Sequence, residues 1–335
     1  MKTAVILINT GTPDDITVQS VKRYLREFLG DGRVISKPSI IRKLLVNGII
    51  VPRRASKSAG LYQKIWTEKG SPLLWHSENL KQKLQNVLGD DYDVMLAMRY
   101  GNPTLKNALQ MVRAGNYREL VVVPLFPQYA SSTVGSIMEL IFKEMHGWNN
   151  IPRVKSIHNF YDHPGYINCV VENILKQQKT FTPDHILFSF HGLPIAHVNA
   201  THQNLPCEQF NCKEEVNQGN AFCYQAASYA TAREIAYKLG LNSQDYSVAF
   251  QSRFAKKWLE PFSDDLIRKM ARKGIKNLLV VSPSFVADCL ETIEEIGDGF
   301  KQSFLKGGGE QFEWVESLND NDKWVNVLKG MIITG

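Results

Sequence analysis

The stretch "YDVMLAMRYGNPTLKNALQMVRAGNYRELVVVPLFPQY" (residues 92–129) runs from an apolar, strand-like segment through a turn and an amphipathic stretch to a Val-rich strand. A later stretch, "YSVAFQSRFAKKWLEPFSDDLIRKMARKGIKNLLVVSPSF" (246–285), repeats that plan. In each, the first strand ends at an Arg–aromatic pair (Arg99-Tyr100, Arg253-Phe254), and the Val-rich strand ends at a proline (Pro124, Pro283). Working outward, "ILINTGTP" (6–13) pairs with "ILFSFHGLP" (186–194): an apolar run, then a Gly-x-Pro turn. Amphipathic stretches such as "SENLKQKLQNVLG" (77–89) and "ATAREIAYKLG" (230–240) lie between the strands, each closed by a Gly suited to a helix C-cap. Short β-rich strands alternating with helices indicate parallel, doubly wound sheets. The correspondence of the halves predicts a duplication: two similar Rossmann-like α/β domains facing a common cleft, divided as 1–158 and 159–335.

Composition sets the class. The chain has 335 residues, 44% of them apolar and 21% charged, the profile of a globular protein with room for two cores. The formal charge of +6 is not gathered into a basic stripe with interleaved aromatics, which argues against nucleic acid as partner. The apolar runs "LLVNGIIVP" (44–52) and "LLVVSPSFVA" (278–287) fall well short of the roughly 18 residues of a spanning helix. With only a five-residue apolar run after Met1, no export signal is read, and a cytoplasmic location, free or peripheral on a membrane, is expected. The five cysteines are then expected to be reduced thiols or metal ligands.

Several common sites are excluded. No Gly-x-Gly-x-x-Gly follows the first strand, and there is neither a Walker A sequence nor a Gly-x-Ser-x-Gly elbow. Ligands of doubly wound sheets sit beyond the carboxyl ends of the strands, which marks the turns at 10–13, 99–102, 126–133, 191–194, 251–253 and 282–291. His191 stands directly after an apolar strand, where an imidazole can serve as base or metal ligand. In "SFVADCLETIEEIGDG" (284–299), Asp288, Glu291, Glu295 and Asp298 recur at helical spacing, a file of hard oxygen ligands that could pass a divalent cation. Of these, Glu291 is assigned to function and Asp298 to solvent.

Taken in order, "LINTGTPDD", "VKRYLREFL", "GSPL", "MRYGNP", "VVVPLFPQYASSTVGS", "FSFHGLP", "FQSRF" with "WLEP", and "FVADCLETIEEI" resemble the ferrochelatases over most of the chain. That resemblance implies a class II chelatase-like fold and a lyase that inserts Fe2+ into protoporphyrin IX in the last step of haem synthesis. Insertion into coproporphyrin III and a non-catalytic tetrapyrrole carrier are the alternatives. It implies His191 and Glu291 as the pair that takes protons and holds substrate iron, with Asp288 and Glu295 on the metal-entry path. Thr10, Arg54, Arg99, Tyr100, Tyr129, Ser131, Ser132, Thr133 and Trp258 match positions that line the porphyrin pocket. Cys289 replaces a histidine found in some members, so a second imidazole has no part here. The segment 40–66 corresponds to a lip over the pocket, with cations for propionates and apolar residues suited to a bilayer surface.

The segment from about 197 to 223 is an insertion by comparison with many members, and it carries Cys207, Cys212 and Cys223 as C-x4-C-x10-C. Some bacterial members hold a [2Fe–2S] cluster in such an insertion. A fourth ligand is needed, and Cys169 and His202 are available, neither placed by a motif. Three readings stay open: a [2Fe–2S] cluster, four-coordinate zinc with one His, and a metal-free loop. His197 and His202 are read as bystanders. No organic cofactor is expected.

Overall fold

A computed structural model describes residues 1–334. The first sheet is built around β1 (Thr3–Asn9), whose every residue is buried. A continuous apolar run suits a strand covered on both faces and paired along both edges. β1 pairs in parallel with β2 (Tyr92–Met98) on one side and β3 (Glu119–Pro124) on the other, with Val5 opposite both Val94 and Val121. β4 (Arg153–Ser156) extends the sheet beyond β3, so the order is β2-β1-β3-β4, all parallel. The helices of this unit are α1 (Val18–Gly30), α2 (Ser39–Leu45), α3 (Val51–Ile65), α4 (Pro72–Leu88), α5 (Leu105–Ala114) and α6 (Ser136–Met145). Their starts are encoded locally. Thr17 and Thr104 cap α1 and α5 by accepting the amides of Ser20 and Asn107, and Pro72 opens α4, where an amide would lack a partner anyway.

The second unit repeats the plan. β5 (His185–His191) is the inner strand, flanked by β6 (Tyr246–Gln251) and β7 (Asn277–Val281), with β8 (Gln311–Trp314) outside β7. The order β6-β5-β7-β8 matches the first sheet position for position. The match extends to detail: the Met98 amide at the end of β2 donates to the Pro103 carbonyl at 2.7 Å, and the Phe250 amide on β6 donates to the Pro261 carbonyl at 2.9 Å. Helices α7 (Pro164–Gln178), α8 (Ile195–Asn199), α9 (Tyr224–Leu239), α10 (Ser263–Arg272) and α11 (Lys301–Lys306) belong here, with a π-helix over Glu291–Phe300. Ile296 and Phe300 of the π-helix join Leu187, Leu278, Phe304 and Phe312 in the core of this unit.

By contacts, the first unit comprises Met1–Phe126, Ala130–Asn159 and Asn319–Gly335, and the second Pro127–Tyr129 with Phe160–Leu318. The chain thus returns to the first unit at its end. There α12 (Asp322–Thr334) packs on α4 through the fully buried Trp324 and Leu328. His76 to Asp320 and Lys83 to Asp322 pin the approach.

In a sheet of this order the connections leave the inner strand in opposite directions, opening a crevice beyond its carboxyl end and that of its neighbour. In the second unit those ends belong to β5 and β7. His191 terminates β5, and the segment 282–291 follows β7.

Candidate active site

His191 is held by its backbone on two sides. Its amide donates to Ser284 Oγ at 3.0 Å, and its carbonyl accepts from Tyr224 Oη at 2.8 Å. The next residue has to be glycine: a Cβ on Gly192 would stand 2.7 Å from the Gln251 carbonyl oxygen and 3.2 Å from the Trp258 ring. His191 Nδ1 lies 2.7 Å from the Gly192 carbonyl oxygen. A carbonyl only accepts, so Nδ1 carries the proton and Nε2 presents its lone pair. The rings of Trp258 and Phe285 flank the imidazole, with centroids 6.5 and 6.1 Å away.

Glu291 opens the π-helix, and its carbonyl accepts from Gln251 Nε2 at 3.4 Å. One turn on, Glu295 receives the Ser252 amide at 2.9 Å and the Ser252 hydroxyl at 2.5 Å. Burial pushes the Glu295 carboxyl above its ordinary range; the Ser252 bonds oppose that, the Glu291 charge adds to it, and His191 opposes it. Gln251, paired with His191 across β5 and β6, donates to the Glu291 carbonyl and to Glu295 Oε2, each at 3.4 Å, which puts the three groups in one neighbourhood.

The carboxylate file expected from α-helical spacing does not form as such. Asp288 lies ahead of the helix and is buried, accepting from the Thr292 hydroxyl at 3.0 Å and the Ser317 amide at 3.2 Å. It closes the turn into the helix, since an anion buried there needs donors. Asp298 accepts from Gln302 at the exposed end. From Glu291 onward the repeat is that of a π-helix, whose wider turn breaks the i, i+3, i+7 stripe.

The ferrochelatase family model matches residues 2–335. The chain is 44% identical to a ferrochelatase of Coxiella burnetii over 98% of its own length and 93% of the relative's. It is 43% identical to a ferrochelatase of Legionella pneumophila over 99% of each. The chain belongs to the ferrochelatase family. Among solved structures it resembles SirB from Bacillus subtilis with Fe3+, with a TM-score of 0.55 at 9% identity, covering 99% of this chain and 95% of that one. The sirohydrochlorin chelatase SirB of subspecies spizizenii with cobalt gives 0.51 at 8% identity, covering 98% and 94%. At such identities the likeness speaks for the fold alone.

Thr10 follows β1, and its carbonyl accepts the Tyr100 amide at 2.9 Å. Arg99 and Tyr100 turn into a shielded network instead of presenting their polar ends: Arg99 meets Asp31 Oδ2 at 2.6 Å, and the Tyr100 hydroxyl donates to the same oxygen at 2.9 Å. Tyr100 is only 3% exposed. Ser131 accepts from Arg33 at 2.9 Å, and Ser131–Gly135 form a π turn leading into α6. Ser132, Thr133, Tyr129 and Trp258 are half-buried, Tyr129 standing edge-on to Phe222; Arg54 is exposed on α3. Sequence reasoning did not single out Ser252, Tyr224 and Ser284, the groups that orient Glu295 and His191; Ser252 and Ser284 lie in strand-end turns marked from the sequence, but nothing local distinguishes them there.

The cysteine segment brings a correction. His202, read as a bystander, joins Cys207, Cys212 and Cys223: the four ligand atoms all lie within 4.8 Å of one another, and all four residues are buried. Cys169, the other candidate, is buried on α7 outside this group. The spacing H-x4-C-x4-C-x10-C was the available signal. Its meaning depended on the turns at Gln203, Asn204 and Asn211, whose positive φ angles fold the segment back on itself.

Proposed function

We propose that this chain inserts Fe2+ into protoporphyrin IX, giving protohaem and two protons, and so acts as a lyase in the last step of haem synthesis. The observation that carries the reading is the imidazole of His191. It sits at the topological switch point of its sheet with Nδ1–H held by Gly192 O, leaving Nε2 as acceptor, and it shares a neighbourhood with Glu291 and Glu295. A free-base porphyrin gives up two pyrrole N–H protons as the metal enters, so a base must stand at the ring face. Nε2 supplies it. Arriving Fe2+ must also shed water, and an imidazole nitrogen with the Glu291 carboxylate can replace those waters without changing the metal's oxidation state. Glu295, half-shielded and held by Ser252, is the proposed relay on the entry path; Asp288 supports the turn beside it. Trp258, Tyr129 and Ser131–Thr133 are proposed to line the ring, Thr10 to support it and Arg54 to meet a propionate.

The test is an anaerobic assay with ferrous iron and protoporphyrin that follows loss of the free-base spectrum. His191→Ala should lower turnover by about 10²- to 10⁴-fold, the usual worth of a positioned base. Unchanged turnover would refute the assignment.

We also propose that segment 40–50 rests on an anionic bilayer at the inner face of the cytoplasmic membrane. Ile40, Ile41, Leu44 and Ile49 are 75, 55, 70 and 44% exposed, beside the basic residues Arg42, Lys43 and Arg53. Such a mixture favours an interfacial helix. Among the described residues no helix is long and apolar enough to cross a membrane. The chain should sediment with phosphatidylserine-containing vesicles but not with neutral ones, and Ile41→Glu with Leu44→Glu should abolish this; equal recovery with neutral vesicles would count against it.

A further inference from the structure

The insertion forms a donor set that contains neither reacting group. Cys207 Sγ stands 3.5 Å from Cys223 Sγ, and Cys212 Sγ 3.5 Å from His202 Nε2. No pair within the set is farther apart than 4.8 Å. A tetrahedral ion with metal–sulfur bonds of about 2.3 Å and metal–nitrogen bonds of about 2.0 Å needs donors roughly 3.5–3.8 Å apart. Two of the separations, both 3.5 Å, match such edges, and the others stay within 4.8 Å. A [2Fe–2S] cluster divides its four ligands between two irons, and the Fe2S2 rhomb separates one pair from the other by more than a single tetrahedral edge. The donor set is too compact for that rhomb, and one of its four donors is a nitrogen.

The surroundings suit a single ion as well. His202 Nδ1 faces the Gly219 carbonyl at 3.3 Å, so its proton points there and Nε2 is left as the donor. The imidazole is stacked on Phe210, centroids 4.2 Å apart, which fixes the ring plane. Cys223 caps α9, where its sulfur receives the Ala226 amide at 3.5 Å, which fixes the sulfur's position at the start of the helix. Asn220 ties the loop shut by donating to the carbonyls of Phe210 and Glu215 at 2.9 and 3.0 Å. All five cysteines are free thiols, so no disulfide competes for these sulfurs.

We propose that His202, Cys207, Cys212 and Cys223 bind one tetrahedral divalent ion, zinc by the chemistry of the set, in place of a [2Fe–2S] cluster. Four protein donors leave no open position, so the ion is structural and separate from the iron that the enzyme would process. It has a route to the reacting group: Cys223 precedes Tyr224, whose hydroxyl holds the His191 carbonyl. The inference does not rest on the proposed reaction, and its test is built so that the two fail separately.

Full-length protein carrying His191→Ala and Glu291→Ala, which silence the site for substrate metal, is purified anaerobically from cells supplied with both iron and zinc. Roughly one zinc per chain is expected, with no acid-labile sulfide and no visible absorption. Co2+ exchanged for zinc should give the intense red-region ligand-field bands of a tetrahedral ion and a near-ultraviolet thiolate charge-transfer band. Cys212→Ser should abolish both bands, whereas His202→Cys should keep the metal and shift them. Stripping zinc from the unsubstituted protein should lower its melting temperature. Iron with equimolar labile sulfide would overturn the inference, as would the weak spectrum of octahedral cobalt or a protein that binds neither ion. Should the ligand variants fail to fold, the metal and sulfide content of the protein with its ligands intact still decides.

Discussion

Asp31 shows how a single residue converts an expected ligand contact into support. It ends α1 and accepts from Ser136 Oγ at 2.5 Å, Arg99 at 2.6 Å and Tyr100 at 2.9 Å. Burial alone would raise its pKa, but hydrogen bonds from Ser136, the Arg33 amide and Tyr100, together with the Arg99 charge, hold it below the ordinary carboxylate range. A depressed carboxyl contributes stability that is present above its unfolded pKa and lost as pH falls through its folded one. Asp31→Ala, which leaves the Arg99 and Tyr100 donors without their acceptor, should cost about 3 kcal/mol in urea unfolding at pH 7. The difference from wild type should shrink as pH falls below about 4, where the carboxyl takes up a proton first in the unfolded chain and then in the folded one. The residues Arg99 and Tyr100 were legible in sequence as a conspicuous pair at a strand end. Their partner was not, because Asp31 lies almost seventy residues earlier and only the packing of α1 against the strand ends brings it near.

At the scale of elements, the segment after β7 carries the clearest departure from periodicity. Its carboxylates recur as on an α-helix, yet the backbone winds as a π-helix from Glu291 to Phe300. Ile296 and Phe300 of that helix reach the core of their unit, and Gly297 lets it approach Trp314, whose Nε1 would lie 2.9 Å from an added Cβ. That winding sets Glu295 against Ser252, a residue held at φ +60° after β6. Ser252→Ala removes the hydroxyl that opposes burial, so the Glu295 pKa should rise further. The acid limb of the kcat/KM profile should then move to higher pH, with turnover at alkaline pH little changed; an unmoved limb would separate Glu295 from metal entry. The cysteine segment behaves alike. Its Cys spacing was visible in the chain, but the left-handed turns that bring His202 into the set are properties of the folded loop.

Over the whole molecule, the two units share one strand order, and the proposed reacting pair lies in the second, at the crevice formed by β5 and β7. The last helix does not stay with the unit it follows. Trp324 of α12 is fully buried in the first unit, so Trp324→Ala should cost about 3–5 kcal/mol there. Hydrogen exchange should show faster opening of α4 while β5 and β7 keep their protection; equal loss in both would mean that the helix supports the molecule generally.

What the sequence by itself determined is what neighbouring residues settle among themselves. Apolar runs make β1, β5 and β7, threonines and prolines start helices, and Gly192 permits the close turn that aims His191. The duplicated order of strands also follows, since both halves carry the same pattern. Tertiary structure alone decided the rest: the neighbourhood of His191, Glu291 and Glu295, the recruitment of His202, the π winding and the return of α12. These depend on which distant surfaces close over one another. Such closure is governed by summed burial and polar satisfaction across the whole fold, and no local stretch of chain contains that sum.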